Sequence, residues 1–258
     1  MSTKVAINGF GRIGRLLARH LKAREGFDLV AINDLTSPDT LGYLFAHDSV
    51  HGRYHGSVEV DGSDLIIDGD RMRVFAERDP AALPWSDLGV DYVFEATGLF
   101  RSREAAGAHL AGGAKKVVIT APGQEVDATF VMGVNNELYD PSKHDVVSNA
   151  SCTTNCLAPV AKVLNETVGI EHGWLTTTHA YTNNQTVLDV QHKDPRRGRA
   201  AAINIIPAST GAAKAIGLVL PEIAGKLHGA AMRVPVPDGS VCDLTFVSSR
   251  SSSVDELQ

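Results

Sequence analysis

Cys152 stands in the run Asn149-Ala150-Ser151-Cys152-Thr153-Thr154-Asn155-Cys156, where a strand-like stretch from His144 to Ser148 gives way to a helix-like one from Leu157 to Val168. The first N–H groups of a helix have no intrahelical partner, and the positive end of its dipole favours a thiolate over a thiol. A nucleophilic sulfur also needs a base. The run Thr176-Thr177-Thr178-His179-Ala180-Tyr181-Thr182-Asn183 places His179 in a β-type segment, distant in sequence yet able to approach Cys152 in space. Cys152 and His179 are therefore the expected catalytic pair. Isolated cysteines are commonly core residues, and an isolated histidine is commonly structural. The Ser, Asn and Thr neighbours of Cys152 and the polar continuation Tyr181-Thr182-Asn183-Asn184-Gln185 argue for a site, whereas Cys156 and Cys242 are expected in the core.

Anion recognition is the second chemistry suggested by residue type. His192-Lys193-Asp194-Pro195-Arg196-Arg197-Gly198-Arg199 concentrates cations in a chain whose formal net charge is −6. Such a run is either a solvated loop or a phosphate site. In the second case Arg197 and Arg233 supply planar, multi-donor recognition of phosphoryl oxygens, assisted by Ser209-Thr210-Gly211. His51 and His55 have i, i+4 spacing, but Gly52 and Gly56 argue against a rigid helix, and no metal site is expected.

Two kinds of domain are needed to position these groups. Val5-Ala6-Ile7-Asn8 reads as a buried strand, Gly9-Phe10-Gly11-Arg12-Ile13-Gly14 as a glycine-rich turn, and Arg15 to Leu21 as the opening of a helix. Gly9 permits the turn, Gly11 admits a diphosphate to the backbone, and Gly14 lets helix pack on strand. Leu29-Val30-Ala31-Ile32-Asn33-Asp34 is a second apolar strand ending in an acid about 20 residues after the last glycine. Asp34 is expected to bond the adenosine ribose and to repel a 2′-phosphate, which favours NAD over NADP. The alternative is an Asp that caps the next segment.

Further strands are expected at 91–95, 116–120 and 129–133, with a helix at 103–111. This alternation predicts a twisted, mostly parallel, doubly wound sheet, with Thr97-Gly98 and Thr120 at ligand-facing strand ends. A meander about residues 57–76 reads as an insertion. From Cys152 onward the pattern is a helix ended by Gly169, strands at 174–182, 230–236 and 240–248, and a short helix at 212–219: an α+β domain on a mostly antiparallel sheet. The predicted domains are 1–151 and 152–258. The pattern starts this helix at Cys152; Pro159, which should kink a helix that begins so early, leaves a start nearer Leu157 as the alternative.

With 258 residues, 43% hydrophobic, the chain can bury a large core. Its acidic balance argues against nucleic-acid binding. No apolar stretch approaches the ~20 residues that cross a bilayer, so no membrane association is expected. Three irregularly spaced cysteines do not form a disulfide framework, and the N-terminus opens on a strand rather than an apolar leader, an expectation of a cytoplasmic setting.

Asn8 to Arg15, Ser148 to Pro159, His192-Lys193-Asp194 with Arg196-Arg197, and Met232-Arg233-Val234-Pro235 together closely resemble the phosphorylating glyceraldehyde-3-phosphate dehydrogenases, in collinear order from Val5 to about Val247. The resemblance implies oxidation of D-glyceraldehyde 3-phosphate by NAD and inorganic phosphate to 1,3-bisphosphoglycerate, through a thiohemiacetal and thioester on Cys152. It implies a site for attacking phosphate at Ser151, Thr153, Thr210 and Gly211, and one for the substrate phosphate at Thr182, Arg197 and Arg233, with Arg196 as the neighbouring alternative to Arg197. Implied cofactor contacts are Phe10, Gly11, Arg12, Ile13, Asp34, Arg78, Thr97 and Thr120, and a homotetramer is implied by the loop from Tyr181 to Ala201. Val190-Gln191 stands where NAD-specific relatives commonly carry Leu-Pro, which leaves room for some NADP tolerance. The chain stops at Gln258, ahead of the family's closing strands, a nicotinamide-side Asn-Glu segment and the last helix. It reads as a partial sequence whose second sheet exposes edges. The alternatives are erythrose-4-phosphate dehydrogenase, an inactive NAD-binding fragment, and a Cys–His hydrolase, the last leaving the nucleotide fingerprint unexplained.

Overall fold

The computed structural model describes residues 2–257, with only the backbone of Lys214. Two compact units are present: the chain through Phe130 plus Tyr139–Ala150, and Val131–Leu138 plus the chain from Ser151 onward.

In the first unit, β1 (Thr3–Asn8), α1 (Arg12–Lys22), β2 (Phe27–Asn33) and α2 (Pro38–Ala46) are followed by a two-stranded ribbon, β3 (His47–Asp48) and β4 (Gly52–Arg53). Then come β5 (Val58–Asp61), β6 (Asp64–Ile67), β7 (Asp70–Phe75), α3 (Trp85–Leu88), β8 (Tyr92–Glu95), α4 (Arg103–Ala111), β9 (Lys116–Ile119), β10 (Ala128–Thr129) and β11 (Val146–Ser148). Nine strands form one sheet in the order β10-β11-β9-β8-β1-β2-β7-β6-β5. The strands from β10 to β7 run parallel, and β6 and β5 add on antiparallel. This is the doubly wound sheet expected from alternating strands and helices, and its central strands β1 and β2 are most buried toward their C-terminal ends. Val5, Ile7, Leu29, Ile32, Leu41, Phe45, Leu65 and Met72 fill one core cluster. The predicted meander is not separate from the sheet. Its last strand, β7, pairs in parallel with β2, so hairpins β5–β6 and β6–β7 extend the sheet edge.

The strand expected at 129–133 is corrected: only Ala128–Thr129 pair, and the chain turns away through Val131 and Gly133. Gly133 sits at φ +78, a conformation that ends a strand. Val131–Leu138, read from sequence with the first domain, groups with the second unit. Lys162 explains this locally, since its Nζ donates to the carbonyls of Gly133 and Val134 at 3.3 and 3.0 Å.

The second unit contains α5 (Cys152–Val168), β12 (Ile170–Ala180), β13 (Ile206–Ser209), α6 (Ala212–Ala215), β14 (Leu227–Val234), β15 (Val241–Ser248) and α7 (Val254–Leu257). Its sheet runs β13-β14-β12-β15, with β12 and β14 parallel and the other two pairings antiparallel. The helix expected at 212–219 divides into α6 and a 3₁₀ turn, Ile216–Leu218. Among the described residues no helix is long and apolar enough to cross a membrane.

Candidate active site

Helix α5 begins at Cys152, as its sequence pattern indicates, and not at the alternative start near Leu157. The Oγ of Ser151 accepts the Thr154 N–H at 3.0 Å, an N-cap that fixes the first turn. Buried Leu157, Ala158 and Ala161 anchor the helix across Pro159, whose missing N–H removes one ladder bond. Just before the cap, Ala150 adopts φ +58, a left-handed conformation unusual for a residue with a Cβ. Its N–H donates to the Ser148 Oγ at 3.0 Å, which holds the abrupt turn.

The Sγ of Cys152 lies 3.3 Å from Nε2 of His179. The cysteine is exposed and the histidine buried, so the thiol can meet a ligand while the imidazole is held. Strand β12 carries His179, whose Nδ1 lies 2.6 Å from the Ala180 carbonyl. A carbonyl only accepts, so Nδ1 carries a proton and Nε2 faces the sulfur. The hydrogen bond from His179 lowers the Cys152 thiol most; burial opposes it, while the imidazole charge and Thr153 assist, bringing the thiol down to about 7. Cys156 is exposed and Cys242 half-buried, which corrects their expected place in the core. Helical spacing sets Cys156 one turn beyond Cys152 on the open side of α5, and β15 presents Cys242 opposite Thr177. Burial raises the Cys242 thiol to about 11, with its contact to Cys156 adding to the shift.

Beside this pair lie two arginines. Nη1 of Arg233 donates to the Ala180 carbonyl at 3.0 Å and reaches the Thr182 Oγ1 at 3.4 Å. Its 3.1 Å approach to Nδ1 of His179 is a contact between donors that share that carbonyl. Arg197 turns inward and donates from Nη2 to the Ser209 carbonyl at 3.1 Å, whereas Arg196 pairs outward with both oxygens of Asp194. Burial lowers the pKa of Arg233, and repulsion from Arg197 lowers it further, with Cys152 opposing. Arg233 Nε and Arg197 Nη1 are buried without a protein partner. Two adjacent cations with orphaned donors suit an anion. Next to Ser209, the Thr210 Oγ1 accepts the Ala212 N–H at 3.2 Å, and Gly211 is exposed with open space where a Cβ would stand. Ser151 and Thr153 flank the thiol, with the Thr153 Oγ1 4.0 Å from its sulfur.

The first unit holds a cleft of about 340 Å³ lined by Gly9, Gly11, Asp34, Arg78 and Thr97 among the expected residues. Asn8, Asn33, Leu35, Glu77, Ala96, Leu99 and Phe100 also line it, and sequence reasoning did not single them out. Gly14 packs directly on the Gly9 carbonyl, and Gly11 meets nothing within 4 Å of a Cβ position. The α1 N-terminus has no side-chain cap, so its donors suit a diphosphate. Phe10 is buried in the core and does not line the cleft; its N–H donates to Oδ2 of Asp34 at 2.8 Å and its carbonyl accepts from Arg15 Nη1 at 3.1 Å. Oδ1 of Asp34 accepts the Thr36 N–H at 3.0 Å in a local turn, while the cap of α2 is Ser37, whose side chain accepts the Thr40 N–H. Arg12 opens α1, Ile13 is exposed, Gly98 sits at φ +72 and Thr120 donates from Oγ1 to the Glu95 carbonyl at 3.1 Å; none of these four lines the cleft. Among the described residues no cluster of three His, Cys, Asp or Glu could hold a metal.

The family profile of the glyceraldehyde 3-phosphate dehydrogenase NAD binding domain matches residues 3–103, and that of the C-terminal domain matches residues 151–258. The chain belongs to the glyceraldehyde 3-phosphate dehydrogenase family. Proteins named glyceraldehyde-3-phosphate dehydrogenase from Kitasatospora aureofaciens, Geobacillus stearothermophilus and Xanthobacter flavus are 57%, 55% and 56% identical to it. The alignments cover 99–100% of this chain and 77% of each relative. Members of the glyceraldehyde 3-phosphate dehydrogenase family are NAD-dependent oxidoreductases, and the cleft beside the glycine turn lies within the part matched to the NAD binding domain.

Proposed function

We propose that the chain oxidises D-glyceraldehyde 3-phosphate to 1,3-bisphosphoglycerate with NAD and inorganic phosphate. The observation that carries this reading is the 3.3 Å contact of Cys152 with His179, beside two arginines with unpartnered donors. In this reading the Cys152 thiolate attacks the aldehyde carbon, and the first N–H of α5 faces the oxygen that gains charge. His179 takes the hydroxyl proton of the thiohemiacetal at Nε2. A dinucleotide held in the cleft beside the glycine turn would supply the hydride acceptor, and the oxidised carbon would remain on Cys152 as a thioester. Phosphate then attacks the thioester carbon, the Cys152 thiolate leaves, and the acyl phosphate departs.

Thr182, Arg197 and Arg233 hold the substrate phosphate, while Ser151, Thr153, Thr210 and Gly211 receive the attacking one. Gly9, Phe10, Gly11, Arg12, Ile13, Gly14, Asp34, Arg78, Thr97, Gly98 and Thr120 make the dinucleotide site. Val190-Gln191 supports some use of NADP, and a cytoplasmic homotetramer is the working state that the family suggests.

The test is NADH formation by the purified chain with NAD, phosphate or arsenate, and either glyceraldehyde 3-phosphate or erythrose 4-phosphate. NADH from the triose phosphate alone supports the reading. Preference for the tetrose reassigns the substrate, and NAD binding without turnover of either aldehyde reduces the chain to a nucleotide binder.

A further inference from the structure

Three strands of the first unit end on a buried polar residue: Asn8 closes β1, Asn33 closes β2 and Glu95 closes β8. The sheet register places Asn8 between the other two, opposite Asn33 on one side and Glu95 on the other. A buried carboxylate is costly unless donors surround it, and Glu95 has four. Its Oε1 accepts the Thr97 N–H at 2.9 Å and the Thr97 hydroxyl. Its Oε2 accepts from Asn8 Nδ2 at 2.5 Å and faces Nε2 of His109 at 3.2 Å.

His109 is fully buried, and its orientation is fixed from behind. Nε1 of Trp85 lies 3.0 Å from His109 Nδ1. An indole only donates, so Nδ1 accepts and the imidazole proton sits on Nε2, aimed at Glu95. The chain continues the other way, since Asn8 Oδ1 accepts from Asn33 Nδ2 at 2.7 Å. Asn33 in turn exchanges bonds with the backbone of Glu77 at 2.8 and 2.9 Å. Asn8, Asn33, Glu77 and Thr97 all line the cleft.

We propose that Glu95, oriented by His109 and Trp85, is a positioning residue for dinucleotide binding, holding Thr97 and Asn8 in the conformation the nucleotide meets. This rests on reading the cleft as the NAD site. The Thr97 hydroxyl donates to Glu95 while its oxygen accepts the Leu99 N–H at 3.0 Å, so the side chain has one orientation and the turn through Leu99 follows it. Such a fully satisfied network rigidifies the groups at its ends. Glu95→Gln keeps the shape but turns one acceptor into a donor, which must face either Thr97 or the Asn8–His109 pair.

The experiment is calorimetric titration of the purified chain with NAD, alongside circular dichroism and thermal melts, for the unsubstituted protein, Glu95→Gln, Trp85→Phe, Thr97→Val and the Glu95→Gln/Thr97→Val pair. Glu95→Gln is expected to raise Kd about tenfold with unchanged secondary structure, and Trp85→Phe to raise it by less. The double variant is expected to bind no worse than the weaker single one, because both act through one contact. Should Glu95→Gln fail to fold, Trp85→Phe and Thr97→Val carry the same test. A lowered melting temperature with unaltered Kd in the folded variants overturns the positioning role alone. Absence of NAD binding by the unsubstituted chain overturns the cofactor reading and this inference with it.

Discussion

Nε2 of His179 sits 3.3 Å from the Cys152 sulfur because β12 ends where α5 begins its first turn, and the Ala180 carbonyl, 2.6 Å from Nδ1, fixes which nitrogen faces the thiol. The Cys152 thiol is lowered to about 7, chiefly by the hydrogen bond with His179. The rate of alkylation at Cys152, followed by mass spectrometry of its peptide, should rise with pH through a midpoint near 7. His179→Gln removes the largest lowering influence and should move that midpoint up toward the ordinary thiol value of 9.0. An unmoved midpoint would show that the helix terminus alone activates the sulfur. Cys152→Ser should abolish NADH formation and leave NAD affinity unchanged.

Arg197 and Arg233 repel one another and keep donors unpartnered, so an anion should relieve both costs. Inorganic phosphate is expected to raise the melting temperature of the unsubstituted protein. Arg233→Lys should weaken that effect and raise KM for glyceraldehyde 3-phosphate about 10- to 100-fold, since an ammonium cannot reproduce a planar fork. Arg197→Gln should act in the same direction. Arg196→Gln, which loses only an exposed pair with Asp194, should change KM by less than about twofold.

The Cys152–His179 contact was legible because its signals are local. Cys152 at a strand-to-helix junction and His179 in a threonine-rich strand announce themselves by their neighbours, and the glycine turn by its spacing. The network around Glu95 was not legible, because a Glu ending Tyr92-Val93-Phe94-Glu95 and a His in an Ala-rich helix look like ordinary surface residues. Only the register of β1 against β2 and β8 brings Asn8, Asn33 and Glu95 together, and register is a tertiary fact. The expected strand at 129–133 failed for a related reason. Phe130, Val131 and Met132 have the β-type pattern, yet Gly133 at φ +78 and the pull of Lys162 on this segment decide the path. Cys156 was expected in the core because cysteine is among the most buried residue types, but the face of α5 it occupies is open.

Asp34 is expected to serve the loop and the ligand at once. Its two oxygens accept the N–H groups of Phe10 and Thr36, so Asp34→Ala removes both bonds and should destabilise the first unit by about 1–3 kcal/mol. Asp34→Asn keeps an acceptor for one of them and removes the charge that repels a 2′-phosphate. The ratio of NAD to NADP affinity, measured by titration of both cofactors, should therefore fall in Asp34→Asn while its melting temperature drops less than that of Asp34→Ala. An unchanged ratio would mean that the carboxylate serves only the loop, through its bonds to Phe10 and Thr36.

The two glycines of the turn should separate folding from binding. A Cβ on Gly14 would stand 2.1 Å from the Gly9 carbonyl oxygen, a backbone atom that cannot rotate away, so Gly14→Ala must push α1 off β1. The expected cost is about 3 kcal/mol, visible as a lower denaturation midpoint even without cofactor. Gly11→Ala meets nothing within 4 Å and should leave the unliganded midpoint nearly unchanged. Its methyl group would instead occupy space at the uncapped α1 N-terminus, where the diphosphate is proposed to rest, so NAD affinity should fall while stability holds. The opposite pattern, with Gly11→Ala unstable or Gly14→Ala harmless, would mean that the nucleotide approaches the helix from a different side.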